Sequence, residues 1–255
     1  MTMAEKDKVA LVTGGAKRIG AEIARGLAGA GFTAAIHYRR SREEAAALAE
    51  DIRREGGRAE IFAADLSQPE ACTALIDEAS AALGPVRLLV NNASAFEPDS
   101  PTELDWEKWG RHFSIHLKAP VALASRFATA LPADLDGLVV NIIDQRVWRL
   151  NPRFFSYTLS KSALWAATQT MAQALAPRIR VNALGPGPTM KNERQSDADF
   201  RQQTESVILG HGPALEEFSR TILYLWEAKS VTGQMIAIDG GQHLAWETRD
   251  VTGIE

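Results

Sequence analysis

The feature that most constrains this chain is a short apolar run, residues 9–13, which ends in Gly14-Gly15-Ala16-Lys17-Arg18-Ile19-Gly20 and passes into Ala, Ile and Leu at helical spacing as far as Ala30. Strand, glycine turn and helix in that order form the unit that cradles a dinucleotide pyrophosphate, because backbone N–H groups and the helix dipole favour an anion at the helix N-terminus. A glycine turn alone also serves as a plain strand–helix connection; the flanking strand and helix give it the dinucleotide reading. Arg18 stands where a third clustered glycine is common, which sets a guanidinium beside the phosphates and beside the neighbouring substrate.

The alternation continues to the end of the chain. Apolar runs at residues 33–38, 60–63, 88–90, 137–143, 179–184 and 235–238 read as strands, and amphipathic stretches at 42–56, 69–83, 103–131, 156–176 and 213–226 read as helices between them. The expected fold is α/β, a Rossmann-type doubly wound, seven-stranded, mostly parallel sheet with helices on both faces. With 255 residues and 45% hydrophobic content, one domain over 1–255 is expected. Net charge is −4 and no basic run exceeds Arg39-Arg40, which argues against nucleic acid or an anionic membrane and for a small-molecule ligand. The lone cysteine, Cys72, reads as a buried small hydrophobe in a reducing compartment. The charged start resembles no signal or transit peptide and no apolar stretch is long enough to span a membrane, so a cytoplasmic location is expected.

Ligands of an open parallel sheet bind outside the carboxyl ends of the strands, and polar punctuation gathers there. The second strand ends in Tyr38-Arg39-Arg40-Ser41, with no acid to bond a ribose hydroxyl; arginines and a serine at that place suit a 2′-phosphate and point to NADP, although a basic loop reads the same way. Asp65-Leu66 follows the third strand, where Asp65 either bonds an adenine edge or makes a turn. Asn91-Asn92-Ala93-Ser94-Ala95-Phe96 follows the fourth; the tandem Asn suits backbone bonds across the sheet opening, and Phe96 offers a face to a flat heterocycle or packs the loop. Asp144 ends the fifth strand, where packing does not explain a carboxylate, and Tyr157-x-x-x-Lys161 opens the next helix with both side chains on one face. An ammonium beside a phenol is expected to lower the phenol's pKa and make a proton donor. Gly185-Pro186-Gly187-Pro188-Thr189 closes the sixth strand, and the polar segment 191–212 reads as a substrate flap or a solvated helix. His112 and His116 share helical spacing, but no HExxH pattern or third ligand accompanies them, and no metal is expected.

Taken together, Thr13-Gly14-Gly15 with Gly20, Asn91-Asn92-Ala93, Tyr157-x-x-x-Lys161 and Asp239-Gly240-Gly241 resemble the short-chain dehydrogenase/reductase family over essentially the whole chain. The resemblance implies an NAD(P) oxidoreductase, usually a homotetramer, in which Tyr157 transfers the proton and Lys161 lowers its pKa and binds the nicotinamide ribose. It also implies cofactor contacts from Gly14, Arg18, Ile19, Gly20, Tyr38, Arg39, Arg40, Ser41, Asp65, Leu66, Asn92, Ala93 and Gly187. Two positions depart from the family pattern: Asp144 replaces a usual Ser, and His116 a usual Asn. A carboxylate repels the oxyanion of a ketone reduction but suits protonation of a ring nitrogen. Pteridine reductases and dihydromonapterin/dihydrofolate reductases share that Asp, and Ala16-Lys17-Arg18-Ile19-Gly20, His37-Tyr38-x-Arg40-Ser41 and Asn92-Ala93-Ser94-x-Phe96 extend the likeness. This branch implies a pterin held between Phe96 and the nicotinamide, with Arg18, Ser94, Asp144 and Tyr157 lining its site. The alternatives are a reductase of another carbonyl or imine, and a non-catalytic NADP sensor.

Overall fold

The computed structural model describes residues 8–191 and 194–246. The charged start, the last nine residues and positions 192–193 of the expected flap lie outside the described residues.

Seven strands, β1 (Val9–Val12), β2 (Thr33–Tyr38), β3 (Arg58–Ala63), β4 (Val86–Asn91), β5 (Gly137–Ile142), β6 (Ile179–Pro186) and β7 (Met235–Ile238), form one sheet in the order β3-β2-β1-β4-β5-β6-β7. The sheet was expected to be mostly parallel, and every strand pairing in it is parallel. The order reverses between β1 and β4, so the crevice of a doubly wound sheet opens at their carboxyl ends.

Strand side chains alternate between two apolar layers, as a period of two requires. Ala10, Val12, Ala34, Ile36, Leu88 and Val90 face one cluster, which α1 (Arg18–Gly29), α2 (Arg42–Arg54) and α8 (Glu216–Glu227) cover with Ile23, Leu27, Leu48, Ile52, Phe218 and Ile222. Val9, Leu11, Leu89, Val139 and Val181 face the other, covered by Leu75, Ile76, Leu123 and Phe127 of α3 (Pro69–Leu83) and α5 (Ala119–Ala130) and by Ala172 of α6 (Phe155–Leu175). Cys72 is buried in this second layer. The helix expected over 103–131 is divided: α4 (Trp106–Phe113) starts at the Asp105 cap, a π-helical turn spans Ser114–Lys118, and α5 follows. The π turn carries His116 inward, where it is 1% exposed. A short α7 (Asp197–Glu205) with a Ser196/Asp199 capping box occupies the segment expected to be a flap. No helix among the described residues is long and apolar enough to cross a membrane.

Candidate active site

The β1–α1 turn is tied across the sheet opening. Thr13 Oγ1 donates to the Val90 carbonyl and accepts from the Asn92 and Ala93 N–H groups, and Asn92 Nδ2 donates to the carbonyls of Thr13 and Gly14. Gly14 has φ of 59°, a left-handed conformation that glycine adopts without a Cβ clash. A Cβ at Gly20 would lie 2.4 Å from Asn92 Nδ2, so this close approach of helix to loop also requires glycine. From the other side, the Gly14 N–H donates to His37 Nδ1 at 2.9 Å. His37 must therefore be protonated on Nε2, which donates to the Ala64 carbonyl at 3.1 Å. Burial lowers its pKa to about 4. Thr13 and His37 thus fix the turn, a role that the sequence, which offers them only as members of the Thr13-Gly14-Gly15 and His37-Tyr38-x-Arg40-Ser41 likenesses, does not assign to them.

The N-terminus of α1 opens onto a cavity of about 1120 Å³ with no side-chain cap on Lys17, so the first-turn N–H groups face it unclaimed by side chains. That fits an anionic pyrophosphate, and the cavity lining brings together Gly14, Arg18, Ile19, Gly20, Asn92, Ala93, Ser94, Phe96, Asp144, Tyr157, Lys161 and Gly187. Tyr38, Arg39, Arg40, Ser41, Asp65 and Leu66 do not line it. They cluster at the adjoining ends of β2 and β3, where Arg39, Arg40 and Asp65 are exposed, Ser41 caps α2 without a side-chain bond, and Leu66 is buried core. Asp65 makes a turn, accepting from the Ser67 N–H; hydrogen bonds from Ser67 chiefly hold its pKa low, with Arg39 and Arg40 adding to the effect. Arg18 adopts φ of 55° and donates to the Met190 and Lys191 carbonyls at 3.3 and 3.1 Å, joining α1 to the segment 191–212.

At the centre, the Tyr157 hydroxyl donates to Asp144 Oδ2 at 2.9 Å, and Asp144 Oδ1 accepts from the Arg146 N–H at 2.9 Å. Lys161, one turn along α6, is 3% exposed and donates to the Ile142 carbonyl at 2.7 Å. The expected lowering of the phenol pKa is overturned: Tyr157 is pushed well above its ordinary value by burial and then by the Asp144 charge. Its partner is a carboxylate, and the ammonium is turned toward a backbone carbonyl. Burial also raises Asp144 and brings Lys161 down to about 8.

The histidines are bonded within the protein at both ring nitrogens. His116 Nε2 accepts from the Ala95 N–H at 3.1 Å, which makes it the unprotonated nitrogen; Ser94 Oγ donates to it at 2.9 Å, and Nδ1–H donates to Ser160 Oγ at 2.8 Å. His112 likewise accepts from the Glu97 N–H and donates to Ser156 Oγ. His116 thereby positions Ser94, so that the serine oxygen faces the cavity as an acceptor.

The ring of Phe96, expected to hold a heterocycle, stacks on Phe154 with centroids 4.1 Å apart and meets the edge of Tyr157 at 4.7 Å. Phe154 sits at the N-cap of α6 with φ of 57°, where the turn into the helix lays its ring on Phe96. The pair forms one aromatic wall. Gln145, Arg146 and residues 149–154 supply further lining, together with Arg194, Phe200 and Gln203 of the segment that reads as a substrate flap or a solvated helix; the sequence singles out none of these side chains individually.

The short chain dehydrogenase family model matches residues 8–201. The chain is 56% identical to the FolM alternative dihydrofolate reductase 1 of Brucella canis, crystallised with NADP, at a TM-score of 0.95 over 99% of this chain and 100% of that one. The Brucella suis protein of the same name, also in complex with NADP, gives 58% identity and a TM-score of 0.94 over 98% and 100% of the two chains. A 3beta-hydroxysteroid dehydrogenase 1 of Eggerthella lenta is 32% identical over 248 residues, covering 94% of this chain and 95% of that one. With the glycine turn, the Asn92 tie and the Tyr157/Lys161 pair in one cavity, the chain belongs to the short-chain dehydrogenase family.

Proposed function

We propose that this protein is an NADPH-dependent reductase of a dihydropterin. The observation that carries the reading is the 2.9 Å bond from the Tyr157 hydroxyl to the Asp144 carboxylate. A carboxylate within reach of the reacting centre repels a developing oxyanion in a low-dielectric site, whereas it favours delivery of a proton to a ring nitrogen. The dihydrofolate reductase names of the Brucella proteins agree with it.

NADPH, when bound, supplies the hydride for the C=N bond. The chain's own residues bind, orient and protonate. Gly14, Ile19, Gly20 and Ala93 offer backbone to the dinucleotide, with Arg18 beside its phosphates, while Tyr38, Arg39, Arg40 and Ser41 form the 2′-phosphate end and Asp65 and Leu66 the adenine side. Asn92 holds the turn, Gly187 at the end of β6 packs against Asp239 with no room for a side chain and offers its backbone to the dinucleotide, and Lys161 bonds the nicotinamide ribose. The pterin lies against the aromatic wall that Phe96 presents, Ser94 accepts from an N–H of the substrate, Asp144 meets its amino-pyrimidine edge, and Tyr157 donates the proton to nitrogen. Segment 191–212, joined to Arg18, closes the substrate end. By family resemblance the protein works as a single-domain homotetramer.

The test is NADPH oxidation with dihydrobiopterin, dihydromonapterin, dihydrofolate and a panel of ketones, in the wild type and Asp144→Ala. Pterin turnover is expected, with a loss of about 100-fold in kcat in the variant. Unchanged pterin reduction by Asp144→Ala, or turnover of ketones alone, would refute the assignment.

A further inference from the structure

Two histidines one helical turn apart are committed to the loop that carries the aromatic wall. His116 Nε2 accepts the Ala95 N–H at 3.1 Å and His112 Nε2 the Glu97 N–H at 3.3 Å, so the backbone is held on both sides of Phe96. Their Nδ1–H groups donate at 2.8 Å to Ser160 Oγ and Ser156 Oγ, which lie one turn apart on α6. The registers agree, since two residues of loop span at most about 7 Å and four helical residues rise about 6 Å. The imidazoles stack with centroids 5.6 Å apart and planes 13° apart. Residues 95 and 97, 112 and 116, and 156 and 160 thus form two parallel rungs that join the loop to α6.

The polarity of the rungs is fixed. A ring that accepts at Nε2 and donates at Nδ1 is neutral, and burial holds both histidines below their ordinary pKa, His116 well below it with the Lys161 charge adding to the effect. Ser160 Oγ in turn donates to the Tyr157 carbonyl at 2.7 Å, an atom with no proton to hand on. The His116 rung therefore ends on backbone and acts as a brace rather than a proton wire to the Tyr157 hydroxyl. Water does not compete with the rungs, because His112 is 0% and His116 1% exposed. By contrast, the Glu97–Arg111 ion pair and the Lys108 bond to the Pro98 carbonyl, which hold the same loop, lie at the surface, where such contacts contribute little. The rungs also converge on the proton donor. Phe96 meets the Tyr157 ring edge-on at 4.7 Å, and the His112 and His116 rings meet it edge-on at 5.9 and 5.2 Å.

We infer that His112 and His116 are paired positioning residues, which grip the backbone on either side of Phe96 and so set where the aromatic wall stands relative to the Tyr157 hydroxyl. The inference rests on the pterin reading, in which that wall seats the ring. With the loop released, the ring is held less tightly and at the wrong place for proton and hydride transfer, so both binding and turnover suffer.

The test uses the full chain. An asparagine amide reaches about as far as Nδ1 and a glutamine amide about as far as Nε2. His112→Asn and His116→Asn therefore keep a partner for the serine and release the loop, whereas His112→Gln and His116→Gln keep an acceptor for the loop N–H. Steady-state kinetics would be measured with NADPH and with dihydrobiopterin, dihydromonapterin and dihydrofolate in turn. Each Asn variant is expected to raise the pterin KM about tenfold and to lower kcat, with most of the loss recovered in the Gln variants. KM for NADPH should stay within about twofold of wild type, because the Thr13–Asn92 tie is untouched. Hydrogen exchange over residues 95–97 should quicken about tenfold in the Asn variants and much less in the Gln variants. Unchanged pterin kinetics, equal losses in the Asn and Gln variants, or KM values for NADPH and pterin that rise together would each overturn the positioning role and leave the pterin reading standing. A wild type that reduces none of the three pterins overturns both.

Discussion

His37 ties the stability of the protein to the geometry of its cofactor turn. It is 2% exposed, accepts the Gly14 N–H on Nδ1 and donates to Ala64 from Nε2, and so has no place for a second ring proton. Its pKa falls from 6.5 to about 4, mainly through burial, which corresponds to about 3.4 kcal/mol of preference for the neutral ring. The folded pKa lies below the unfolded one, so the unfolded chain takes up the extra proton. The contribution is complete above pH 6.5 and is lost as pH falls toward about 4. About 2 kcal/mol should be gone by pH 5. His37→Asn keeps an acceptor near the Gly14 N–H but removes the titrating group. Urea unfolding of wild type and variant at neutral pH and near pH 5 measures the difference between them, which should narrow by about 2 kcal/mol at the lower pH. The folded protein takes up this proton only as pH approaches about 4, so loss of the acceptor that holds Gly14 should weaken wild-type NADPH binding only there, and the Asn variant should not show it. A wild-type-to-variant gap that stays constant with pH would refute the argument, because it would mean that His37 titrates alike in both states.

Lys161, brought down to about 8 by burial, loses its charge above that pH, so kcat/KM for NADPH should fall about tenfold per unit on the alkaline side. Lys161→Arg, which stays charged, should abolish this descending limb at a lower overall rate; a wild-type profile flat to about pH 9.5 would contradict the role. Arg40→Ala should raise KM for NADPH by about tenfold or more with little change for NADH, since only the 2′-phosphate distinguishes them. Equal effects on both coenzymes would make Arg40 an ordinary loop residue.

What the sequence discloses follows from what a local pattern can encode. The bounds of β2 and β7 coincide with their apolar runs, since buried parallel strands are written as continuous hydrophobic stretches with punctuation at their ends. The same punctuation locates Asn92, Asp144 and Gly187, because a parallel sheet delivers all its carboxyl ends to one edge. The π turn at Ser114–Lys118 is invisible to a search for helical period, which does not register a local change in turn size. Arg146, Phe154 and Arg194 are likewise illegible. Their significance lies in contacts between residues 144–154, Phe96 and the segment beyond Met190, and spacing along the chain carries no trace of them.

The Tyr157 phenol shows the limit most clearly, and its correction strengthens the chemistry. Counting charges along the helix places an ammonium beside it and implies an easily ionised donor. Burial, which dominates, is a property of the whole fold, and it pushes Tyr157 and Asp144 alike toward their protonated forms. Lys161 pulls in the opposite direction on Asp144, while Arg146 is the cation that favours ionisation of both. Two acids joined by one 2.9 Å hydrogen bond then titrate as a unit, and removing either changes the proton affinity of the other. Such a pair gives up a proton reluctantly, so it suits an acceptor that becomes strongly basic as it receives hydride. On the proposed reading that acceptor is a ring nitrogen, and the neighbouring Asp144 charge, which would penalise a ketone oxyanion, instead favours a nitrogen that leaves the step protonated.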